Sequence, residues 1–172
     1  MSTYITSDLH FGHENLCRNL RGMTSEYSDA LIIENWNKTV SKRDKVFILG
    51  DVTMDKPDVI RRIIPQLHGN KTVILGNHDK PRCVKALIDC GCSVCSSLNV
   101  HNILLTHIPV DETQLTRVVG NIHGHIHVGE SMNEAPHGPY YNVNCELHNY
   151  TPILFEKAQE ELLKVVESLK NS

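Results

Sequence analysis

The sequence has no apolar run that approaches the roughly 20 residues of a membrane-spanning helix. It also has no basic start followed by an apolar core, the pattern of a secretory signal. We therefore expect a cytoplasmic protein with no membrane partner. Basic residues are not in excess either, because 17 Lys and Arg stand against 20 Asp and Glu, for a net charge of −3. Since binding along a phosphate backbone needs several basic contacts, long nucleic acid is not an expected partner.

The six cysteines lack a complete metal-binding pattern. Cys92 and Cys95 form one C-x₂-C pair, and Cys83 and Cys90 lie nearby, but no second pair of this kind completes a structural zinc site. Because cytosolic thiols stay reduced, we expect these side chains to serve as small apolar groups at a helix end and in a buried strand. A zinc-storing or redox role is the alternative.

Histidine, by contrast, is abundant, with 11 residues in a chain of 172. Many of the histidines lie in five short polar segments, and each segment directly follows an apolar, β-rich stretch. These segments are residues 7–10, 50–51, 76–79, 106–107 and 124–127. Because α/β proteins build active sites where adjacent strands end, we expect the segments to meet in one crevice.

The side chains in these segments suit two divalent metal ions. Such a pair needs oxygen and imidazole ligands, a carboxylate that can bridge, and open positions for water and substrate. The candidate ligands are Asp8, His10, Asp51, Asn77, His107, His125 and His127. Asp51, alone after an apolar strand, suits the bridge. Because residues two apart on an extended chain face the same way, His125 and His127 can approach one centre.

Strand and helix signals alternate along the chain, which predicts sheets covered by helices within a single domain spanning residues 1–172. Ser28 and Asp29 predict a helix start, and residues 93–100 and 103–106 predict two strands joined by a turn. Glycines, prolines and polar residues at 129–139 indicate a loop. A stripe of apolar residues predicts a C-terminal amphipathic helix over about 156–170.

The ordered motifs resemble those of the calcineurin-like metallophosphoesterase superfamily. They are Asp8-x-His10, Gly50-Asp51, Gly76-Asn77-His78-Asp79, His107 and Gly124-His125-Ile126-His127. Residues 7–15 and 35–37 resemble its small single-domain bacterial and phage members. The resemblance implies an α/β fold of the metallo-dependent phosphatase type. This is a four-layer α/β/β/α sandwich, in which helices flank two mixed β-sheets.

The resemblance also implies roles for individual residues. It places Asp8, His10, Asp51 and His127 on one ion, and it places Asp51, Asn77, His107 and His125 on the other. His78 is implied to be a catalytic residue that protonates the leaving oxygen or stabilises the transition state, and Asp79 is implied to orient His78 through a hydrogen bond. The motif after Asp51 lacks the phosphate-gripping arginine of the protein serine/threonine phosphatases. A phosphoprotein substrate is therefore not expected.

The function expected is hydrolysis of a phosphoester, with a metal-bridging hydroxide as the nucleophile. The expected cofactors are two divalent ions, with Mn²⁺ favoured and Fe, Zn²⁺ or Ni²⁺ as alternatives. Because no insertion is long enough to cap the site, we favour a phosphodiesterase acting on small or nucleotide-type diesters. A phosphomonoesterase acting on small substrates is the first alternative, and a non-catalytic metal-binding interaction module is the second.

Further residues near the motifs are weaker candidates. His13, Lys80 and Arg82 are close enough in sequence to contact the substrate. Arg18 and Arg21 are interpreted as surface residues, with a phosphate contact as the alternative. His123, which shares the alternation of His125 and His127, is interpreted as packed and not ligating.

Overall fold

The computed structural model describes residues 1–129 and 136–171, so the loop predicted at 129–139 lies partly outside the described residues. Within them, strands assemble into a five-stranded and a four-stranded sheet. The strands are β1 (Thr3–Thr6), β2 (Lys45–Leu49), β3 (Asn70–Ile74), β4 (Ser93–Cys95), β5 (Leu98–Val100), β6 (Ile103–Leu105), β7 (Asn121–His123), β8 (Tyr140–Asn142) and β9 (Ile153–Leu154).

The five-stranded sheet has the order β4-β3-β2-β1-β9. Its first four strands are parallel, with Ile5 opposite Phe47 and Phe47 opposite Thr72, and β9 pairs with β1 in the antiparallel direction. The sheet is therefore mixed. Because β1, β2 and β3 run the same way, the loops that follow them leave from one edge of the sheet.

The four-stranded sheet has the order β5-β6-β7-β8 and is also mixed, because β5 is antiparallel to β6 while β6, β7 and β8 are parallel. The two sheets face each other across a buried apolar core. Ile5, Leu49 and Ile74 of the first sheet pack there in one cluster with Leu105 and Ile122 of the second. Strand ends from both sheets therefore meet on one side of the molecule.

Helices cover the other face of the first sheet. They include α1 (Glu14–Leu16), which continues into a π-helical turn (Cys17–Arg21), α2 (Ser25–Thr39), α3 (Pro57–Ile63) and α4 (Pro81–Asp89). Trp36, Ile60 and Leu87 of the last three helices are buried in one cluster with the strand residues Val46 and Ile48. Pro57 and Pro81 each open a helix, where the missing N–H of proline costs nothing.

The start predicted for α2 at Ser28 and Asp29 is wrong. The helix begins at Ser25, and Thr24 caps it by accepting a hydrogen bond from the backbone N–H of Tyr27 at 3.2 Å. Ser28 and Asp29 are both buried inside the helix. Asp29 accepts a hydrogen bond from the N–H of Gly12 at 2.9 Å, so its polar side chain supports the loop after β1.

The single strand predicted at 93–100 is two strands in different sheets, β4 and β5. The chain crosses from one sheet to the other between them, and this crossing puts the later strands opposite the earlier ones.

The last helix, α5 (Phe155–Lys170), contacts β1 and β9 of one sheet and β7 and β8 of the other. It buries Phe155, Ala158 and Leu162 in the core between the sheets. These layers confirm the predicted fold of two mixed sheets flanked by helices. None of the helices in the described part of the chain has the length and apolar character needed to cross a bilayer.

Candidate metal centre

The five polar segments predicted from the sequence meet where the strands end. The loops after β1 and β2 are joined by backbone hydrogen bonds from Asp8 N to Gly50 O at 3.1 Å and from His10 N to Asp51 O at 3.0 Å. On the second sheet, Gly124 N donates to His107 O at 2.9 Å. Asp8 joins the two halves, because its Oδ2 atom accepts a hydrogen bond from His125 N at 2.9 Å.

Six of the seven candidate ligands form two compact triads. Asp8, His10 and His127 make the first triad, and Asp51, His107 and His125 make the second. Within each triad the potential ligand atoms all lie within 4.8 Å of one another. Carboxylate and imidazole groups in this combination suit divalent transition metals. The seventh candidate, Asn77, lies beside the second triad, with its Oδ1 atom 2.8 Å from His107 Nε2.

An independent observation supports a cation at the first triad. Both ring nitrogens of His10 are buried and have no hydrogen-bond partner. Its Nε2 atom lies 4.0 Å from Asp8 Oδ1 and 3.7 Å from Asp51 Oδ2. These separations are too long for hydrogen bonds, but they match two ligands that each lie about 2.1 Å from one ion. Burial also lowers the pKa of His10 to about 2, which keeps the ring neutral, as ligation requires.

His125 and His127 both line the cavity but belong to different triads, so the expectation from their spacing does not extend to a shared ion. That expectation assumed an extended chain. His125 instead has a φ of 70°, in the left-handed region, and the alternation of β-strands does not extend to it. Asp8, His10 and Asp51 share this conformation, with φ values of 56°, 48° and 53°. Such conformations are costly for residues with a Cβ atom and cluster at functional sites.

Glycines let these loops approach one another closely. A Cβ atom on Gly76 would lie 2.2 Å from Asp51 Oδ1, and one on Gly124 would lie 2.4 Å from Asp8 Oδ2. The glycine before Asn77 and the glycine before His125 therefore make room for carboxylates of neighbouring loops.

The two buried carboxylates have opposite pKa shifts. Burial raises the pKa of Asp8 to about 6 and outweighs the nearby histidines and the Ser7 hydroxyl. Burial alone would also raise the pKa of Asp51, but contact with His107, whose Nε2 lies 3.3 Å from Asp51 Oδ2, lowers it to about 2. Asp51 is therefore ionised without a metal, as expected of a carboxylate between two cation positions.

His107 is held by the strand beside it. Its Nδ1 atom lies 2.8 Å from the backbone oxygen of Leu49, which can only accept a hydrogen bond, so Nδ1 carries the proton and Nε2 faces Asp51. Burial alone would lower the pKa of His107, but Asp51 and Asp8 raise it above its usual value.

His78 and Asp79 lie together in sequence but act in different places. His78 N donates to Asp51 Oδ1 at 3.0 Å, and its ring is partly exposed, with Nε2 at 3.9 Å from Asp51 Oδ2. The predicted hydrogen bond from Asp79 to His78 is not formed. The Asp79 carboxylate instead accepts hydrogen bonds from the backbone N–H groups of Asp51, Val52 and Gly76 at 2.9 to 3.2 Å. Its role in this structure is to join the loops after β2 and β3.

Both triads open onto a cavity of about 290 Å³. The cavity is lined by His10, His13, Leu16, Asp51, Met54, His78, His125 and His127.

Of the three substrate candidates, His13 lines the cavity, and its ring centroid is 5.7 Å from that of His10. Lys80 instead donates to Asn77 O at 2.9 Å, and Arg82 pairs with Asp55 outside the cavity. The interpretation of His123 as packed fits its burial and the 2.7 Å between its Nδ1 and Gly124 O.

Two residues of the centre were missed from the sequence. Arg21, interpreted as a surface residue, has a side chain with no exposed surface, and it pairs with Glu146 at 3.0 Å between Nε and Oε1. Glu146 in turn contacts His127 Nδ1 with both carboxylate oxygens at 3.0 Å. Glu146 lies a few residues after strand β8, in a short 3₁₀ helix (Cys145–His148), so it shows only a weaker form of the signal that identified the ligand loops. Arg21 carries no comparable signal, because only packing distinguishes it from exposed Arg18.

The cysteines do not form a metal cluster. Among residues 1–129 and 136–171, the groups that could hold a metal contain no cysteine, and all six thiols are free.

Comparison with protein families gives one match over most of the chain. The model of the calcineurin-like phosphoesterase superfamily domain matches residues 1–144, a range that includes both triads. Proteins of that family are metal-dependent, in agreement with the two candidate metal-binding triads.

Individual relatives come from an archaeon and from phages. The chain is similar to the uncharacterized protein MJ1445 of Methanocaldococcus jannaschii, with 29% identity over 175 residues, which cover 97% of this chain and 92% of that protein. It is also similar to the gene 66 protein of Mycobacterium phage L5, with 41% identity over 85 residues. That match covers 46% of this chain and 41% of the phage protein.

A solved structure shows the same fold. The Aquifex aeolicus protein AQ665, described as a protein of unknown function, has a TM-score of 0.74 and 24% sequence identity to this chain. The match covers 92% of this chain and 98% of the Aquifex protein.

Proposed function

Because the chain belongs to the calcineurin-like phosphoesterase superfamily, we propose that it is a two-metal phosphodiesterase for small or nucleotide-type diesters. One observation carries this proposal: two triads of metal-compatible side chains and the partly exposed ring of His78 face a single cavity of about 290 Å³. A cavity near 300 Å³ is large enough for a phosphodiester with a small organic substituent.

The ligand roles proposed are those implied by the family motifs. Asp8, His10 and His127 hold one ion, and Asn77, His107 and His125 hold the other, with Asp51 between them. When bound, two divalent ions, for which we favour Mn²⁺, would neutralise charge on the phosphoryl oxygens and lower the pKa of a water molecule for attack. The separation of 3.9 Å between His78 Nε2 and Asp51 Oδ2 keeps this ring beside both positions.

His78 is proposed to hold the proton for the departing oxygen. Its backbone N–H is fixed to Asp51 Oδ1 at 3.0 Å, while its ring lines the cavity. A ring held in this way can donate a proton to an alkoxide or phenolate as the P–O bond breaks. Asp79 supports it indirectly, by fixing the loop on which it sits.

The lining of the cavity favours a diester over a monoester. Within the described part of the chain, the residues that line it include no Lys or Arg. A monoester dianion carries one more negative charge than a diester, and none of the described residues that line the cavity supplies a fixed cation to offset it. Leu16 and Met54 form an apolar part of the wall, which suits the second organic substituent of a diester.

The experiment compares bis-p-nitrophenyl phosphate with p-nitrophenyl phosphate in the presence of Mn²⁺. It uses wild type, His78→Ala and Asp51→Asn, with Glu161→Gln on the exposed side of α5 as a control. We expect faster cleavage of the diester, loss of at least about a hundredfold in each site variant, and no change in the control.

The other outcomes contradict the proposal in distinct ways. Faster cleavage of the monoester would make the protein a phosphomonoesterase. Two bound ions without turnover of either compound would favour the non-catalytic interaction module.

A further inference from the structure

Arg21 is buried, and its guanidinium group is fully paired. Its side chain has no exposed surface, although it ends the short π-helical turn at the surface of the first helical layer. Arginine has five N–H donors, and here they meet five acceptors. These are the backbone oxygens of Asp8 (2.8 Å) and Leu9 (3.1 Å), Ser28 Oγ (3.0 Å), Cys145 Sγ (3.5 Å) and Glu146 Oε1 (3.0 Å).

Two of these acceptors hold the first ligand loop in place. Asp8 and His10 have the costly left-handed backbone conformation on either side of Leu9. Hydrogen bonds to the carbonyl oxygens of Asp8 and Leu9 fix the peptide groups between them. Arg21 therefore stabilises the backbone conformation that directs Asp8 and His10 towards each other.

Glu146 holds the third member of the same triad. Both of its carboxylate oxygens lie 3.0 Å from His127 Nδ1, and its side chain is 4% exposed. An ionised carboxylate only accepts hydrogen bonds, so the His127 proton lies on Nδ1. Nε2, which lies 3.9 Å from Asp8 Oδ1, is left as the ligand atom.

The second triad has different supports. His107 is oriented by the backbone oxygen of Leu49 at 2.8 Å, and the loop of Asp51 is fixed by Asp79. The Arg21–Glu146 pair thus joins residues 125 positions apart in the chain and acts on Asp8, His10 and His127.

We propose that Arg21 and Glu146 are positioning residues that set the metal affinity of one position only, that of Asp8, His10 and His127. The inference rests on the proposed two-metal centre. Removal of a partner that orients a ligating histidine costs about 10- to 100-fold in metal affinity. That loss should therefore fall on one of the two ions and spare the other.

The test is a titration of the metal-free protein with Mn²⁺, in which calorimetry and electron paramagnetic resonance monitor binding. Wild type should bind two ions and give the signal of a spin-coupled pair. Glu146→Ala should lower the affinity for one of the two ions by about 10- to 100-fold. Its spectrum should show isolated Mn²⁺ until the weakened site fills. Glu146→Gln keeps an oxygen acceptor for His127 Nδ1–H and should restore most of the affinity. Glu161→Ala, which removes an exposed acid of α5, should bind as wild type does.

Each alternative result has a distinct meaning. Fewer than two ions on wild type would overturn the proposed centre itself. Two ions on wild type with both sites weakened equally in Glu146→Ala, or with neither weakened, would overturn the positioning role. If Glu146→Ala does not fold in chelator, Glu146→Asp carries the same test, because it keeps a charge for Arg21 and is too short to reach His127 as Glu146 does.

Discussion

The Oδ2 atom of Asp79 accepts a hydrogen bond from the backbone N–H of Asp51 at 2.9 Å. The same oxygen accepts from Gly76 N at 2.9 Å, and Oδ1 accepts from Val52 N at 3.2 Å. One buried carboxylate therefore joins the loop that carries the proposed bridging ligand to the loop that carries His78. Asp79 supports the centre through the backbone, and its side chain does not contact the His78 ring.

Replacement of Asp79 by alanine should destabilise the protein with or without metal. It would leave three backbone N–H groups without their acceptor, and each unpaired buried donor costs about 1–3 kcal/mol. We expect a loss of about 3–5 kcal/mol in the free energy of unfolding, measured by urea denaturation in chelator. Asp79→Asn keeps one acceptor oxygen and should lose less. Lower activity at unchanged stability would instead indicate that Asp79 serves His78 alone.

Replacement of Gly76 by alanine should remove metal binding by steric overlap. The new Cβ atom would lie 2.2 Å from Asp51 Oδ1 and 2.6 Å from Asp51 N, so the carboxylate must move. Metal content after dialysis is the measurement, and Gly91→Ala is the control. Gly91 has a φ of +81° but nothing within 4 Å of an added Cβ atom, so its replacement should cost about 1 kcal/mol of stability and leave metal content unchanged. Equal metal content in both variants would contradict the prediction.

Metal affinity should rise with pH between about 5 and 8. Ligation needs ionised Asp8 and an unprotonated Nε2 atom on His107, yet burial raises the pKa of Asp8 to about 6 and Asp51 raises the pKa of His107 above its usual value. Protons therefore compete with the ions at low pH. Below these pKa values we expect affinity to fall by about tenfold per pH unit for each proton displaced, measured by calorimetry. The check is the observed binding enthalpy in buffers of different ionisation enthalpy, because its slope gives the number of protons released on binding. A slope of zero would contradict the prediction.

Asp8→Asn should stabilise the metal-free protein at neutral pH. The folded-state pKa of Asp8, about 6, lies above its ordinary value of 3.8, so the folded state binds the proton more tightly than the unfolded state does. In wild type, the contribution of Asp8 to the free energy of unfolding is fully present below pH 4 and is lost as the pH rises to about 6. The pKa shift of Asp8 corresponds to about 3 kcal/mol in the free energy of unfolding. Thermal unfolding in chelator at pH 4 and pH 7 should show a gain for Asp8→Asn at pH 7 only. Mn²⁺ should stabilise wild type more than the variant, which keeps only the second ion position intact.

Much of the centre could be predicted because it depends on a local rule. Apolar β-rich stretches become strands, and the polar residues after parallel strands are brought to one edge of a sheet. The candidate ligands Asp8, Asp51 and His107 were found in this way, and the structure brings them together. The resemblance to a known family added the order of the layers.

The remaining features depend on contacts that no local pattern contains. The left-handed backbone at His125 separates it from His127, and the alternation of side chains along an extended strand cannot predict this. Arg21 is buried only because the carbonyls of the first loop and Glu146 surround it, and these partners lie far apart in sequence. The crossing between β4 and β5 has no glycine or proline to mark it, since only Ser96 and Ser97 separate the two strands.

The antiparallel pairing of β1 with β9 determines when the molecule can be completed during synthesis. β1 is made well before its second neighbour, Ile153–Leu154, because most of the strands and helices lie between them in the sequence. Glu146, which orients His127, emerges only shortly before. Until then β1 has an unpaired edge and His127 lacks its partner. The nascent chain thus carries its candidate ligands before it carries the partner of His127, so the first triad is expected to assemble only after Glu146 has been made.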